Sequence, residues 1–241
     1  MSLLPFPERF MDWQPAPKPA ELAESRLLEA ILSGHFPPNS PLPGERELAE
    51  QIGVTRPTLR EALQRLARDG WLDIQHGKPT RVRDYWREGG LGVLAVLARA
   101  PAGQTPDFVA HLLEVRILLA PAYTRQALEA DAPAIAAALQ DYPSLPDDPP
   151  AFARADWDLH LLLTRRAANP IFRFLFNGFT DLALRMGERY FAYPKCRAHS
   201  RRFYADLLTC ARAGAAFDAE TLTRRVMEES LALWLEKQKG R

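Results

Sequence analysis

The sequence predicts a mainly α-helical protein with an N-terminal winged helix-turn-helix followed by an all-helical C-terminal bundle. Three observations predict it. Short helical stretches punctuated by Gly34, Gly53 and Gly70 precede two β-prone pieces around a glycine tip. From Tyr85 onward only helical periodicity recurs, with short breaks. Positive charge is concentrated locally although the 241-residue chain carries a net charge of only +1.

Residues 1–19, rich in proline, are expected to form an irregular arm. The arm lacks the basic start and apolar core of a signal peptide. Ala20 to Gly34 reads as a helix, because Ala23, Leu27 and Ile31 recur at four-residue spacing with Leu28 widening the stripe. "HFPPNSPLP" reads as a proline-rich turn. "GERELAEQIG" is a short second helix ending at Gly53. The third helix, "TRPTLREALQRLARDG", takes Thr55 as N-cap and holds Pro57 in its first turn, where the missing N–H costs little. Leu59, Ala62, Leu63, Leu66 and Ala67 form its apolar stripe, and Gly70 ends it. "WLDIQHGKPTRV" reads as a hairpin whose β-prone pieces are Ile74-Gln75 and Thr80-Arg81-Val82. Helices are then expected over 89–99, 106–129, 133–139, 150–167, 170–190, 195–214 and 218–239. These divide the chain into the arm, a winged head over 20–84, a linker over 85–90 and an all-helical domain over 91–241.

The head has the chemistry of a duplex reader. A third helix entering the major groove by its N-terminal end would present Thr55, Arg56, Thr58 and Arg60. Arg56 and Arg60 lie one turn apart, hence on one face. A guanidinium can make a bidentate contact to the O6/N7 edge of guanine or grip a phosphate, while threonine hydroxyls suit phosphate. Val54 to Arg83 carries net +4 and residues 1–53 carry −4, so the polarity is local. A basic tip, His76-Gly77-Lys78, suits a narrow minor groove, and Arg46 can meet a backbone phosphate. Taken singly, arginines on a helix are a solvated face; the order of cap, arginines, stripe, glycine stop and basic tip argues for nucleic acid.

"LPGERELAEQIGVTRPTLREALQRLARDGWLDIQHGKPTRV" resembles the head of GntR-family transcription regulators, and most specifically the fatty-acid-responsive members through "GVTRPTLREALQRLARDGWL" and "IQHGKPT". "ANPIF", "RYFAYP", "FYADL" and "ESLALW" carry the similarity more weakly to Trp234. The resemblance implies a homodimer on a palindromic double-stranded DNA operator, and a bundle that binds long-chain fatty acyl-CoA; it thus adds effector binding and dimerisation to the helical domain over 91–241. It places Arg46, Thr55, Arg56, Thr58, Arg60, His76, Gly77, Lys78 and Thr80 at DNA-contact positions, with Pro57 replacing a threonine. Leu112, Arg116, Tyr190, Tyr204, Met227, Ser230 and Trp234 match positions near the ligand; Met227 stands where a glycine is usual and Ala183 where a tyrosine is.

Without the resemblance the tail says less. Arg116 interrupts the apolar "LLEVRILLA" and needs an anionic partner, whether Glu114, Asp156, another internal acid or a ligand phosphate. Ser230 and Trp234 share a face, as a core tryptophan beside a solvated serine or as an aromatic wall with a hydroxyl anchor. Asp156 and His160 have a spacing that suits two metal ligands. Many members of the resembled family add two later histidines. Here the later stretch offers only His199, with Tyr204 where one further histidine belongs, so no metal is expected. No P-loop, nucleophile elbow or dinucleotide fingerprint suggests an enzyme. Two cysteines in no ligand spacing, and no apolar run near the roughly 20 residues a span needs, lead to the expectation of a cytoplasmic protein without a membrane partner.

Overall fold

The structure is a computed structural model and describes residues 18–97 and 108–239. The chain divides into two compact units, Met1–Leu94 and Ala95–Arg241. Eleven helices and two short strands occur among the described residues.

In the first unit, α1 (Pro19–Leu32), α2 (Glu45–Ile52) and α3 (Arg56–Arg68) pack their apolar stripes together. Ala23, Leu27, Leu28 and Ile31 of α1 are buried, as are Leu59, Ala62, Leu63 and Leu66 of α3. Pro19 is already helical, one residue inside the arm anticipated over 1–19; residues 1–17 of that arm lie outside the described residues. Lys18 opens the helix, and the Glu21 carboxylate accepts from its N–H at 3.3 Å. The guanidinium of Arg26 donates to the Ile52 carbonyl at 2.5 Å, so α1 satisfies the C-terminal end of α2. Gly53 then turns the chain at φ 75°, and the Thr55 hydroxyl accepts from the Thr58 N–H to start α3.

The wing differs from the sequence expectation in register. Its strands are β1 (Leu72–Asp73) and β2 (Arg81–Val82), paired antiparallel as Leu72 with Val82 and Asp73 with Arg81. Ile74 and Gln75 lie in the tip instead. The reason is burial: Trp71 and Leu72 are enclosed whereas Ile74 is exposed, so the ladder follows the residues with a core to enter. The segment read as a plain turn also joins the ribbon. Asn39 N–H donates to Val82 O (2.8 Å), Val82 N–H donates to Ser40 O (2.9 Å), and Leu42 N–H donates to Thr80 O (2.8 Å). Pro41 bridges Arg81 on this outer side, a position where a missing N–H is tolerated.

In the segment read as a linker over 85–90, α4 (Tyr85–Glu88) forms one helical turn. Tyr85 is buried with its ring 5.0 Å from Trp71, and that contact orders the turn. Gly89 ends it; a Cβ at this position would run into the Tyr85 carbonyl. α5 (Leu91–Leu97) follows, and the last two residues of the helix expected over 89–99 lie outside the described residues.

The second unit is a bundle of α6 (Phe108–Leu139), α7 (Pro149–Arg166), α8 (Ile171–Asn177), α9 (Thr180–Phe191), α10 (Pro194–Ala213) and α11 (Ala216–Lys239). α6 packs on α7, α10 and α11, and α9 packs on α7. The break expected between 129 and 133 appears as a non-helical Asp131 (φ −161°), whose carboxylate accepts from the Ala134 N–H at 3.1 Å and caps the last turns of α6. Residues 106 and 107, where that helix was expected to begin, are not described. The single helix expected over 170–190 is two, divided at Gly178 and Phe179. Asn177-Gly178 is a breaker that the apolar periodicity obscures. The Trp157 indole N–H donates to the Thr180 hydroxyl at 3.2 Å and secures the start of α9.

Candidate nucleic-acid interface and effector-domain cluster

On the head, burying the α3 stripe turns its other face outward. Arg56 and Arg60 are exposed one turn apart, with Thr55 at the cap and Thr58 half-buried beside it. The hydroxyls of Thr55 and Thr58 lie 2.8 Å apart. Arg60 Nε donates to the Glu45 carboxylate at 2.6 Å, bringing the second turn of α3 to the start of α2, where the next residue is the exposed Arg46. Arg65 belongs to the scaffold instead. It donates to Glu61 at 2.6 Å and lies 3.8 Å from Glu24 of α1.

At the wing tip His76, Gly77 and Lys78 are exposed. Lys78 Nζ donates to the Gln75 side chain at 2.8 Å, and Gln75 donates to Asp73 at 2.6 Å, so β1 orients the lysine through Gln75. Gly77 sits at φ 72° with open space where a Cβ would stand. In the free protein its requirement is therefore conformational. Thr80 is half-buried, with its carbonyl tied to Leu42. Arg81 is braced on the Asn39 carbonyl at 2.6 Å.

In the second unit, Arg116 reaches from α6 to Asp156 of α7, donating through Nη2 at 2.9 Å. The same nitrogen contacts His160 Nε2. A guanidinium has no acceptor, so Nε2 accepts and Nδ1 carries the proton of the neutral ring, donating to the Tyr123 hydroxyl at 2.6 Å. From α10, Tyr204 donates to the other Asp156 oxygen at 3.1 Å. Asp156, His160, Tyr123 and Tyr204 are buried, and Arg116 is half-buried. A guanidinium thus occupies the space between the two side chains whose spacing suits metal ligands. Among the described residues no cluster of three metal-ligating side chains occurs.

Burial alone would raise the Asp156 carboxyl, but Arg116, His160 and the Tyr204 hydroxyl together hold it below the usual carboxylate range. Burial pushes His160 down to about 3, and the Arg116 charge pushes it the same way against Asp156. An unfolded histidine titrates near 6.5, so the unfolded chain takes up this proton first. The stability His160 confers by staying neutral is fully present above about pH 6.5 and is lost as pH falls toward the folded value. Urea melts of the helical unit should therefore show stability falling by about 1.4 kcal/mol per pH unit between roughly pH 6 and 4 from this group. His160→Gln should flatten that slope; an unchanged slope would assign the acid sensitivity to other groups.

Most of the remaining positions matched to a ligand lie on or beside α11. Met227, Ser230 and Trp234 are buried on one side of α11, and the Tyr190 ring lies 6.3 Å from Trp234. Tyr190 is 5.0 Å from Phe191, which is 5.5 Å from Phe152, which is 6.3 Å from Tyr204. An aromatic line therefore connects the Trp234 end to the Arg116 cluster. The Ser230 hydroxyl donates to the Val226 carbonyl at 2.7 Å. Leu112 and Ala183 are half-buried. Among the described residues of this unit, Arg116 Nε, Thr124 Oγ1 and Trp234 Nε1 are buried without a hydrogen-bond partner, while the buried Tyr190 hydroxyl faces Ser230 and Cys196. Each unpartnered atom costs about 1–3 kcal/mol unless water or a ligand meets it. Tyr123 is the member that sequence reasoning missed. Its signal is the spacing Arg116 to Tyr123, two turns apart on one face of α6.

The head, residues 19–82, matches the family model described as bacterial regulatory proteins, gntR family. Residues 83–240 match the model described as FadR C-terminal domain. The fatty acid metabolism regulator protein of Pasteurella multocida (strain Pm70) is 40% identical over 223 residues, 92% of this chain and 92% of that protein. The protein of the same description from Klebsiella pneumoniae subsp. pneumoniae is 41% identical over 225 residues, 93% and 94% of the two chains. A solved structure described as "Lar controls the expression of the Listeria monocytogenes agr system and mediates virulence" superposes with a TM-score of 0.62 at 18% identity, covering 92% of this chain and 99% of that one. It shares the fold.

Proposed function

This chain belongs to the GntR family of bacterial regulatory proteins, in the branch with a FadR C-terminal domain, and we propose that it is a transcription regulator of fatty-acid metabolism that binds duplex DNA and is released by long-chain fatty acyl-CoA. The observation that carries the DNA part is the exposed N-terminal end of α3. It offers Arg56 and Arg60 on a capped helix whose opposite side is wholly committed to the core. Arg60 reads a base edge, Arg46, Thr55 and Thr58 meet phosphates, and His76 and Lys78 follow the wing into the minor groove, with Gly77 and Thr80 setting the tip. A homodimer on a palindromic operator matches this use of one head per half-site.

For the effector, the support is the set of buried donors left without partners among apolar and aromatic walls. Arg116 Nε and Trp234 Nε1 suit the polar end of an acyl-CoA, with Tyr190 beside Trp234, while Leu112 and Met227 suit its apolar parts. Met227 in place of a small residue narrows that space and bears on which acyl chain fits. Moving the regulator from 1:99 to 99:1 between DNA-competent and released forms requires about 5.5 kcal/mol of differential acyl-CoA affinity.

Gel shifts of the full chain on genomic fragments, with and without oleoyl-CoA, test both parts. Retention of a palindromic fragment at low ionic strength and its release by micromolar oleoyl-CoA are the expected results. Failure to retain any duplex overturns the DNA assignment, and retention that oleoyl-CoA leaves unchanged overturns the effector assignment.

A further inference from the structure

We propose that Glu45 sets sequence selectivity by positioning Arg60, a role that rests on the reading of Arg60 as a base reader. The pair lies at the surface, with 63% of the Arg60 side chain and 37% of the Glu45 side chain open to solvent. Such a pair adds little to stability, so its geometry matters more than its energy.

A guanidinium has two hydrogen-bonding edges: a side edge that includes Nε, and a terminal edge made of both Nη groups. Glu45 takes Nε at 2.6 Å. Among the described residues no other hydrogen bond or ion pair reaches Arg60, so the terminal edge stays available for a bidentate contact to guanine O6 and N7. Glu45 is the first residue of α2, where the helix N-terminus favours a carboxylate. The anchor therefore stands on a rigid element, and Arg60 is pre-oriented before it meets DNA.

The same carboxylate discriminates against wrong contacts. Arg60 is long enough to abandon a base and grip a neighbouring phosphate, which carries no sequence information. A negative charge beside it makes a phosphate approach repulsive and leaves an uncharged base edge acceptable. Arg46, the adjacent residue, is exposed, has no acid partner of this kind among the described residues and suits phosphate. Consecutive residues at the start of α2 thus divide the work, one holding a reader and the other gripping the backbone.

The test is a double-mutant cycle in the full chain, with affinities for the operator fragment and for a scrambled duplex measured across salt. Glu45→Ala should leave the melting temperature of the head in place, tighten binding to the scrambled duplex and reduce the operator-to-scrambled ratio about tenfold, the discrimination one good base contact provides. Glu45→Gln keeps an oxygen that can accept from Nε but loses the charge, so its ratio should fall by less. In an Arg60→Ala background, Glu45→Ala should no longer change the ratio. An unchanged ratio with Arg60 present, or an equal fall with Arg60 absent, overturns the role of Glu45. If Arg60→Ala itself leaves operator preference intact, the base-reading assignment of Arg60 fails instead.

Discussion

Asp156→Ala should destabilise the helical unit by about 3 kcal/mol, the lower end of the range for breaking a buried ion pair. The lower end applies because the Arg116 side chain retains 27% of its exposure. The substitution removes the carboxylate that both Arg116 and Tyr204 donate to, leaving the Tyr204 hydroxyl buried without that acceptor and the guanidinium with His160 but no counter-charge in this network. For a unit of this size the midpoint of its thermal transition should drop by roughly 10 °C. Asp156→Asn keeps an oxygen for one of the two donors and should cost less. Arg116→Met combined with Asp156→Leu should recover much of the loss, since well-packed apolar replacements of buried pairs are often neutral or stabilising. A loss below about 0.5 kcal/mol for Asp156→Ala, in chemical denaturation near pH 7, would show that the network does not hold α6 to α7.

Trp71→Ala should cost the head about 3–5 kcal/mol, as large aromatic deletions in full cores do. Trp71 is fully buried, follows directly on α3 and supports the Tyr85 ring that orders α4. Its carbonyl also receives the Arg83 N–H at 2.9 Å, so the base of the wing hangs on its backbone. Operator affinity should collapse although Trp71 is buried away from any duplex. Trp71→Phe separates shape from polarity. The indole N–H is buried without a partner, so phenylalanine loses some packing but also sheds an unsatisfied donor, and should cost less than about 1.5 kcal/mol. Equal losses for the two variants, followed by thermal melts of the head, would contradict this account of the core.

What could be read from the chain depended on whether a feature was local. Helix α3 was legible because cap, first-turn proline, stripe and glycine stop all lie within sixteen residues and agree with one another. The wing's position was legible but its register was not. β-Propensity pointed to Ile74, whereas the pairing follows Trp71 and Leu72 into a core assembled by distant residues. Pro41 concealed the third member of the ribbon, because prolines read as turns unless the strand is known to lie at an edge. In the bundle, Arg116 announced its need for an acid but not which one. The choice of Asp156 required knowing that α6 lies on α7, a tertiary fact with no local signature. The exposed arginines of α3 were visible as a pattern, while the contact of Arg60 with Glu45 spans fifteen positions and a turn.

The segment of residues 39–42 laid against β2 bears on how the protein behaves when crowded. A two-stranded wing would leave β2 with a row of vacant backbone groups, an invitation for another molecule to add itself by strand pairing. Here that flank is covered, and the new outer rim is broken by Pro41, which has no N–H to offer, among further prolines at 37, 38 and 43. The covering segment therefore removes β2 as a template for strand addition and presents a proline-interrupted rim in its place.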